Sequence, residues 1–466
     1  MENKYKYLLK NTMILTISNF SSKVLVFLLV PLYTSILTTS EYGSYDLINT
    51  TIQLFMPILC ANIYEGVTVF LLDSNTKSKN IISIGFKYII YGLVIWSCFC
   101  IINHLFNIWD VLSTYYIPAI FMFISSVLNQ YCIQVAKGLE KIKVMGIAGI
   151  IGTCVTIFCN ILFLLFLKGG LTGFFISTIL GSFVPALFIA RQLKIWDYIR
   201  VINDKELQRA MLTFSVPLIM NALGWWMNNV SDRYVVTFMC GIAANGVYSI
   251  SYKIPSILNV IQSLFTQSWQ ISAIKEYRKE GYRDFYGNML KVINVFLCLS
   301  CMILIAISRI LARFLYAKDF YSAWIYVPFL LMSSMVNADS GILGPILSAK
   351  KNSKALAGSA IAGAFANIGL NFLLIYFIGV QGAAVATFIS SVVIYIGRRI
   401  AVGSDIKLDN RISFILSWII CIIQSIFMIC VDSYYPQIVC LAIFVIIFHK
   451  IIKENLEKIL GLIKRK

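Results

Sequence analysis

The chain has 466 residues, of which 59% are hydrophobic, 14% aromatic and only 13% charged. Soluble domains carry about 45–50% apolar and about 25% charged residues, so a cytosolic enzyme, a disordered chain and a disulfide-stapled secreted domain are all excluded. A polytopic membrane protein remains, and its formal charge of +18 points to cytoplasmic loops beside an anionic leaflet before it points to nucleic acid.

Fourteen apolar stretches follow in chain order, at 11–37, 42–72, 81–106, 115–136, 144–167, 171–195, 211–239, 243–273, 287–310, 322–348, 355–378, 382–401, 412–432 and 436–452. In lipid each must pair its own backbone groups, so each is expected to be helical. Lys4, Lys6 and Lys10 precede the first stretch, which is too long for a cleaved signal and reads as a span. With the N-terminus inside, 30 of the 39 Lys and Arg residues fall in cytoplasmic segments. Four fall in outer loops (Lys168, Arg309, Arg313 and Lys318) and five within spans. A miscounted span would invert every later loop, so the bias supports a multi-pass plasma-membrane protein with both termini cytoplasmic.

Six spans recur. Gly43 and Tyr45 of SEYGSYDL match Gly246 and Tyr248 of AANGVYSI, and Ala136-Lys137 matches Ala349-Lys350. Asn160-x-Leu162 matches Asn371-x-Leu373, each leading to a Gly-x-x-Gly turn ending at Gly173 or Gly382, and Thr178 matches Thr387. An even repeat keeps the halves in the same orientation, which implies a two-fold axis along the membrane normal and a ligand site between lobes near the midplane. The expected fold is therefore all-α: about fourteen transmembrane helices, two six-helix lobes in parallel repeat and a C-terminal hairpin. Its divisions are 1–208, 209–402 and 403–466, with 191–210 as a basic interfacial linker.

The in-span charges are Lys23, Asp46, Glu65, Lys87, Asp232, Arg233, Lys253, Lys291 and Asp339. Facing lipid they would cost on the order of 25 kcal/mol together, so they must mostly face protein or water. Lys23 and Lys253 are about 15 Å from either face at about 1.5 Å per residue, whereas Lys87, Lys291 and Asp46 are near enough to an interface to snorkel. Asp232 and Arg233 point about 100° apart and are expected to find different neighbours. Polar stripes run along span 1 (Thr12, Thr16, Asn19, Lys23, Thr34), span 7 (Asn221, Asn228, Asp232) and span 8 (Ser249, Lys253, Ser256, Ser263, Gln267, Gln270). They read most simply as the wall of an aqueous lumen, with interhelical hydrogen bonding as the alternative. A lumen with central cations suits an anionic ligand. Glu65, Asp232 and Asp339 could couple H⁺ or Na⁺, or balance nearby cations. The charges do not repeat: at an offset of 203, Lys253 falls opposite Thr50 and Glu65 opposite Ser268.

Enzyme chemistry finds no support. The outer loops are short, no acid pair stands out, and Gly241 and Gly246 lead into Val247-Tyr248 rather than the Lys and hydroxyl of a phosphate-binding loop. Eleven of twelve cysteines lie in apolar runs, including Cys298-x-x-Cys301, and the two histidines sit at span edges, so no metal site or cofactor is expected.

The stretches NTMILTISNFSSKVLVFLLVPLYTSIL with EYGSYDL, FSVPLIMNALGWWMNNVSDRYVV, NGVYSISYKIPSILN and GAAVATFIS resemble Wzx-type oligosaccharide flippases of the MOP superfamily, relatives of MATE exporters and peptidoglycan-precursor flippases. The resemblance covers essentially the whole chain. It implies alternating access by two lobes that carries a polyprenyl-diphosphate-linked oligosaccharide repeat unit to the outer leaflet for surface polysaccharide biosynthesis, with membrane lipid and a polysaccharide polymerase as partners. The cavity-lining basic residues of the family map onto Lys23, Arg233 and Lys253, and the stripe residues Asn19, Asn228 and Ser256 complete the expected substrate-binding set. The chain departs from the family at Glu65-Gly66-Val67-Thr68-Val69, where similar proteins often carry Arg at the last position. A MATE-type multidrug or cation antiporter is the alternative, though such a pump should have an acidic lumen.

Overall fold

A computed structural model describes residues 27–73, 78–200, 204–277, 279–350, 352–406 and 411–464. Every regular element among them is helical. The chain forms two compact units, one ending at Val230 and the other beginning at Ser231. The sequence places that division at 208/209.

In the first unit, α1 (Val30–Ile36) closes the first apolar stretch, and Asn19 and Lys23 lie outside the described residues. Thr38 then starts α2 (Thr39–Leu59) through a capping box: Glu41 N–H donates to its hydroxyl at 3.2 Å, and Thr38 N–H donates to the Glu41 carboxylate at 2.8 Å. The second span is broken. Ala61 and Asn62 adopt φ of 49° and 48°, so α2 and α3 (Ile63–Leu72) meet at a bend of 57°. Left-handed geometry is costly for residues with a Cβ, which makes this a built-in break.

Next come α4 (Ser78–Phe106), the short α5 (Asp110–Thr114), α6 (Tyr116–Gly138), α7 (Ile142–Asn160) and α8 (Gly170–Gln192), with one π-helical stretch at 161–166. The linker then runs through a 3₁₀ turn at 195–197 into α9 (Lys205–Ser215). It is pinned along α4: Ser83 donates to Tyr198 O at 2.7 Å, Asn80 to the Asp204 carboxylate at 3.2 Å, and Lys87 to Gln208 Oε1 at 3.4 Å. Lys87 therefore has a side-chain partner as well as a place near the interface.

The second unit begins inside α10 (Pro217–Cys240) and continues through α11 (Ile242–Ser251), α12 (Lys253–Glu276), α13 (Tyr282–Leu315), α14 (Val327–Ala349), α15 (Ser353–Ile378) and α16 (Gln381–Val402). The hairpin is α17 (Arg411–Cys430) and α18 (Tyr435–Lys464), and both helices pack on α13. Near its turn, Arg309 of α13 donates to Met428 O, forms an ion pair with Asp432, and lies over the Trp324 ring at 4.1 Å. At the other end of the unit, Lys350 pairs with Asp405 at 2.7 Å and donates to the carbonyls of Ala401 and Val402 that end α16. Among the described residues, ten helices are long and apolar enough to cross a membrane, and the bent α2–α3 pair makes eleven. Large apolar side chains such as Ile95, Phe158, Phe238 and Phe365 are exposed on them, as lipid-facing surfaces require.

The two glycine turns show the repeat in atomic detail. A Cβ at Gly173 would lie 3.0 Å from Phe163 O, and one at Gly382 would lie 2.3 Å from the Leu374 carbonyl carbon. Phe163 and Leu374 keep the same spacing from Asn160 and Asn371, so each half folds its Gly-x-x-Gly back on the same point of the preceding helix. Gly382→Ala is expected to destabilise the protein by about 1–3 kcal/mol, the usual cost of overpacking, and Gly173→Ala by less. Thermal unfolding of the purified protein in detergent would order the two.

Candidate functional site

The polar chemistry of the second unit converges on Asp232, which is 2% exposed in α10. Tyr248 and Tyr252 stand one helical turn apart, so both rings approach α10 from the same side. Their hydroxyls donate to Asp232 Oδ2 at 2.6 and 2.5 Å. Thr387 of α16 lies 3.3 Å from the same oxygen and shares its hydrogen with Ala383 O at 2.9 Å. Oδ1 accepts the backbone N–H of Arg233 at 3.0 Å.

A second layer holds the first. Asn367 of α15 reaches the Thr387 and Ser390 hydroxyls at 3.4 Å each, and Ser231 donates to Asn367 Oδ1 at 3.3 Å. Asn371 anchors Asn367 from one turn away, donating to its Oδ1 at 2.9 Å. From α14, Ser333 meets Ser391 at 2.8 Å. Four elements therefore orient one carboxyl group, and an apolar cluster that includes Val236, Leu330, Ile375, Ala383 and Ala384 packs around Tyr248. Water is replaced here by fixed O–H and N–H dipoles, which strengthens each contact and raises the cost of losing one.

Cations adjoin this network. The half-buried Arg233 places its guanidinium over the Tyr252 ring at 5.2 Å, within cation–π range. Asp232 and Arg233, expected to find different neighbours, thus share Tyr252: the acid takes its hydroxyl and the base its face. Lys253, also half-buried, follows Tyr252 as the first residue of α12. Ser256 donates back to Lys253 O at 2.6 Å, and Asn228 donates to Gly224 O at 2.9 Å. Ser249 and Ser263 likewise return their hydroxyls to their own helix backbones. Ser249, Ser256 and Ser263 thus bond locally, as does the Asn228 amide nitrogen, so the stripe alone does not identify a lumen.

The other acids go elsewhere. Glu65 Oε1 accepts Gln134 Nε2 at 2.7 Å, and Gln134 Oε1 accepts the Thr68 hydroxyl at 2.7 Å, which joins α3 to α6. Val69, where similar proteins often have Arg, is 45% exposed. Asp46 is buried at 5% exposure, so it does not snorkel. Asp339 bonds Asn294 and Trp418 and, among the described residues, shares no hydrogen-bond partner with Asp232. Sequence reasoning singled out Asp232 and Arg233 but missed Tyr252 and Asn367, and it noted Tyr248, Thr387 and Asn371 only as repeat anchors. Two tyrosines four apart beside an in-span acid were the available signal.

Residues 8–270 match the family model described as polysaccharide biosynthesis protein, and the chain belongs to that family. Among solved structures it is similar to one titled lipid II flippase MurJ, inward closed conformation, at 16% identity and a TM-score of 0.72, covering 95% of this chain and 99% of that one. It is also similar to an inward-facing multidrug resistance MATE family transporter of the MOP superfamily, at 13% identity and a TM-score of 0.70, covering 84% and 98%. A Vibrio cholerae MATE transporter matches at 12% identity and a TM-score of 0.54, covering 84% and 98%. These likenesses show the fold alone, and the ten long apolar helices among the described residues mark a multi-pass membrane protein. No curated protein sequence matches the chain.

Tyr248→Phe and Tyr252→Phe each remove one donor from the same oxygen, and each is expected to cost about 1–3 kcal/mol of stability. Because they serve one acceptor, the double variant should depart measurably from the sum of the singles. A double-mutant cycle on thermal unfolding checks this, and strict additivity would refute the shared network.

Proposed function

We propose that this member of the polysaccharide biosynthesis family is a flippase for a polyprenyl-diphosphate-linked oligosaccharide repeat unit, moving it from the cytoplasmic to the outer leaflet by alternating access. The observation that carries the reading is a half-buried guanidinium held over Tyr252, with a second half-buried cation next to Tyr252 in the sequence. Arg233 is held against Tyr252, and Lys253 follows on the next residue, inside an otherwise apolar helical protein. Guanidinium and ammonium groups bind phosphate oxygens by charge-assisted hydrogen bonds, whereas an exporter of organic cations needs the opposite sign. Lys23 joins this set by its depth in span 1 and by family resemblance, and Asn19 by the span 1 stripe; both lie outside the described residues. Asn228 and Ser256 belong to the set by their places in the polar stripes of spans 7 and 8. The protein acts in the plasma membrane with both termini cytoplasmic, and a polysaccharide polymerase is the partner that takes up its product.

Asp232 is the coupling group in this reading. Three hydroxyls crowd one of its oxygens, and each has lone pairs that can turn toward an entering sodium ion, or release their contacts when a proton arrives. Arg233, one residue away, would feel either event directly. Charge entering at Asp232 and diphosphate leaving Arg233 are thereby linked through Tyr252.

Arg233→Ala and Lys253→Ala are each expected to slow translocation by about tenfold to a hundredfold, the worth of one charged hydrogen bond, with insertion and folding retained. Lys253→Arg should keep part of the activity. Asp232→Asn should leave substrate binding in place and abolish the response to an imposed Na⁺ or H⁺ gradient. The assay is flipping of a labelled polyprenyl-diphosphate oligosaccharide in vesicles containing the full-length protein. Unchanged rates in both Ala variants, or export of organic cations with no movement of the labelled lipid, would overturn the reading.

A further inference from the structure

A second buried acid in the same unit is built in the opposite way. Asp339 lies within α14 and is fully buried. Its Oδ2 accepts Asn294 Nδ2 of α13 at 2.7 Å and Trp418 Nε1 of α17 at 3.2 Å. Ser417, beside Trp418, donates to Asn294 Oδ1 at 2.9 Å, so the three helices meet in one chain of hydrogen bonds. The other oxygen, Oδ1, is buried and has no hydrogen-bond partner among the described residues.

Among the described residues, the titratable groups facing this carboxyl are Cys298 of α13, Cys421 of α17 and Tyr395 of α16. None is a cation. On α16, Arg398 donates Nη1 to Ser340 O at 3.1 Å and Arg399 donates to Gly403 O at 2.9 Å, so both guanidiniums are engaged with backbone carbonyls. Among the described residues no ion pair includes Asp339. A carboxylate with a bare oxygen and no counter-charge is among the most expensive groups to bury, whereas a neutral acid is far cheaper.

We propose that Asp339 is a proton-binding site: at neutral pH it holds a proton on Oδ1, and as the neutral acid it seats the C-terminal hairpin on the bundle. Oδ2 is then the carbonyl oxygen, which suits its two N–H donors, and the hydroxyl occupies the position that lacks a donor. The proton is a fixed part of the α13–α14–α17 joint and takes no part in the transport cycle. This assignment stands apart from the flippase reading, because it rests only on the joint itself.

An amide mimics the neutral acid in shape and keeps the acceptor oxygen, so Asp339→Asn separates the two protonation states. In infrared spectra of the full-length protein in bilayers at neutral pH, the wild type should show the deuterium-sensitive carbonyl stretch of a protonated carboxylic acid, and Asp339→Asn should lose it. That variant should retain wild-type thermal stability, Trp418 fluorescence and, where flipping is measured, the wild-type rate. Asp339→Ala leaves the Asn294 and Trp418 N–H groups without their acceptor and should lower stability and shift Trp418 emission. Absence of the band in the wild type, its persistence in Asp339→Asn, or equal destabilisation by Asn and Ala would each overturn the proposal. Loss of flipping in Asp339→Asn with stability intact would overturn it too, by making the proton a participant in transport.

Discussion

Inside a bundle surrounded by lipid, a polar side chain has no water to fall back on, and every donor and acceptor must find its counterpart within the protein. That constraint shapes the second unit. Asp232 draws two tyrosines, a threonine and a backbone amide to itself, and these draw Asn367, Asn371 and the serines behind them. Residues on α10, α11, α15 and α16 are thus fixed relative to one another by a single carboxyl group. Dispersion between apolar helices can hold them together but allows sliding; directed hydrogen bonds set the register.

The duplicated half shows what the scaffold looks like without the acid. Thr34 returns its hydroxyl to Val30 O and Thr237 to Arg233 O, one turn back in each case, at an offset of 203. That register places Leu29 opposite Asp232 and Val30 opposite Arg233. Tyr45 reaches Thr178 directly at 3.3 Å, whereas in the other half Asp232 stands between Tyr248 and Thr387. Phe174 occupies the place of Ala383 and packs its ring on Tyr33, Tyr42 and Tyr45. One copy of the motif is filled with aromatic rings, and the other keeps a small residue there and holds an acid, an arginine and their hydrogen-bonded support.

Much of this was legible in the sequence because hydropathy and small-residue turns are local signals. The apolar stretches marked the helices, and Gly173 and Gly382 marked the turns because the backbone approaches closely at both, too closely for any side chain at Gly382. The break at Ala61-Asn62 was not legible: Ala61 does not advertise a left-handed conformation, a single Asn is a weak signal for one, and the hydropathy runs on through both. Pairing across helices was also hidden. Tyr252 and Asn367 belong to different spans more than a hundred residues apart, and only the fold brings both into the support of Asp232. Ser256 and Asn228, read from the same stripe pattern, largely serve their own backbones. Periodicity tells which residues share a face but not whether that face meets water, a neighbour or the helix itself.

The contrast between Asp232 and Asp339 follows from the same rule applied twice. At Asp232 four donors are distributed over both oxygens and a guanidinium lies one residue away, so charge can be accommodated there. At Asp339 two N–H groups share one oxygen and the other faces no donor, so the joint suits a neutral acid. An in-span acid is therefore not functional by virtue of its charge alone. What decides its role is the number of donors aimed at it and the sign of its nearest ion, and on both counts the proposed transport chemistry belongs with Asp232 and the proposed structural proton with Asp339.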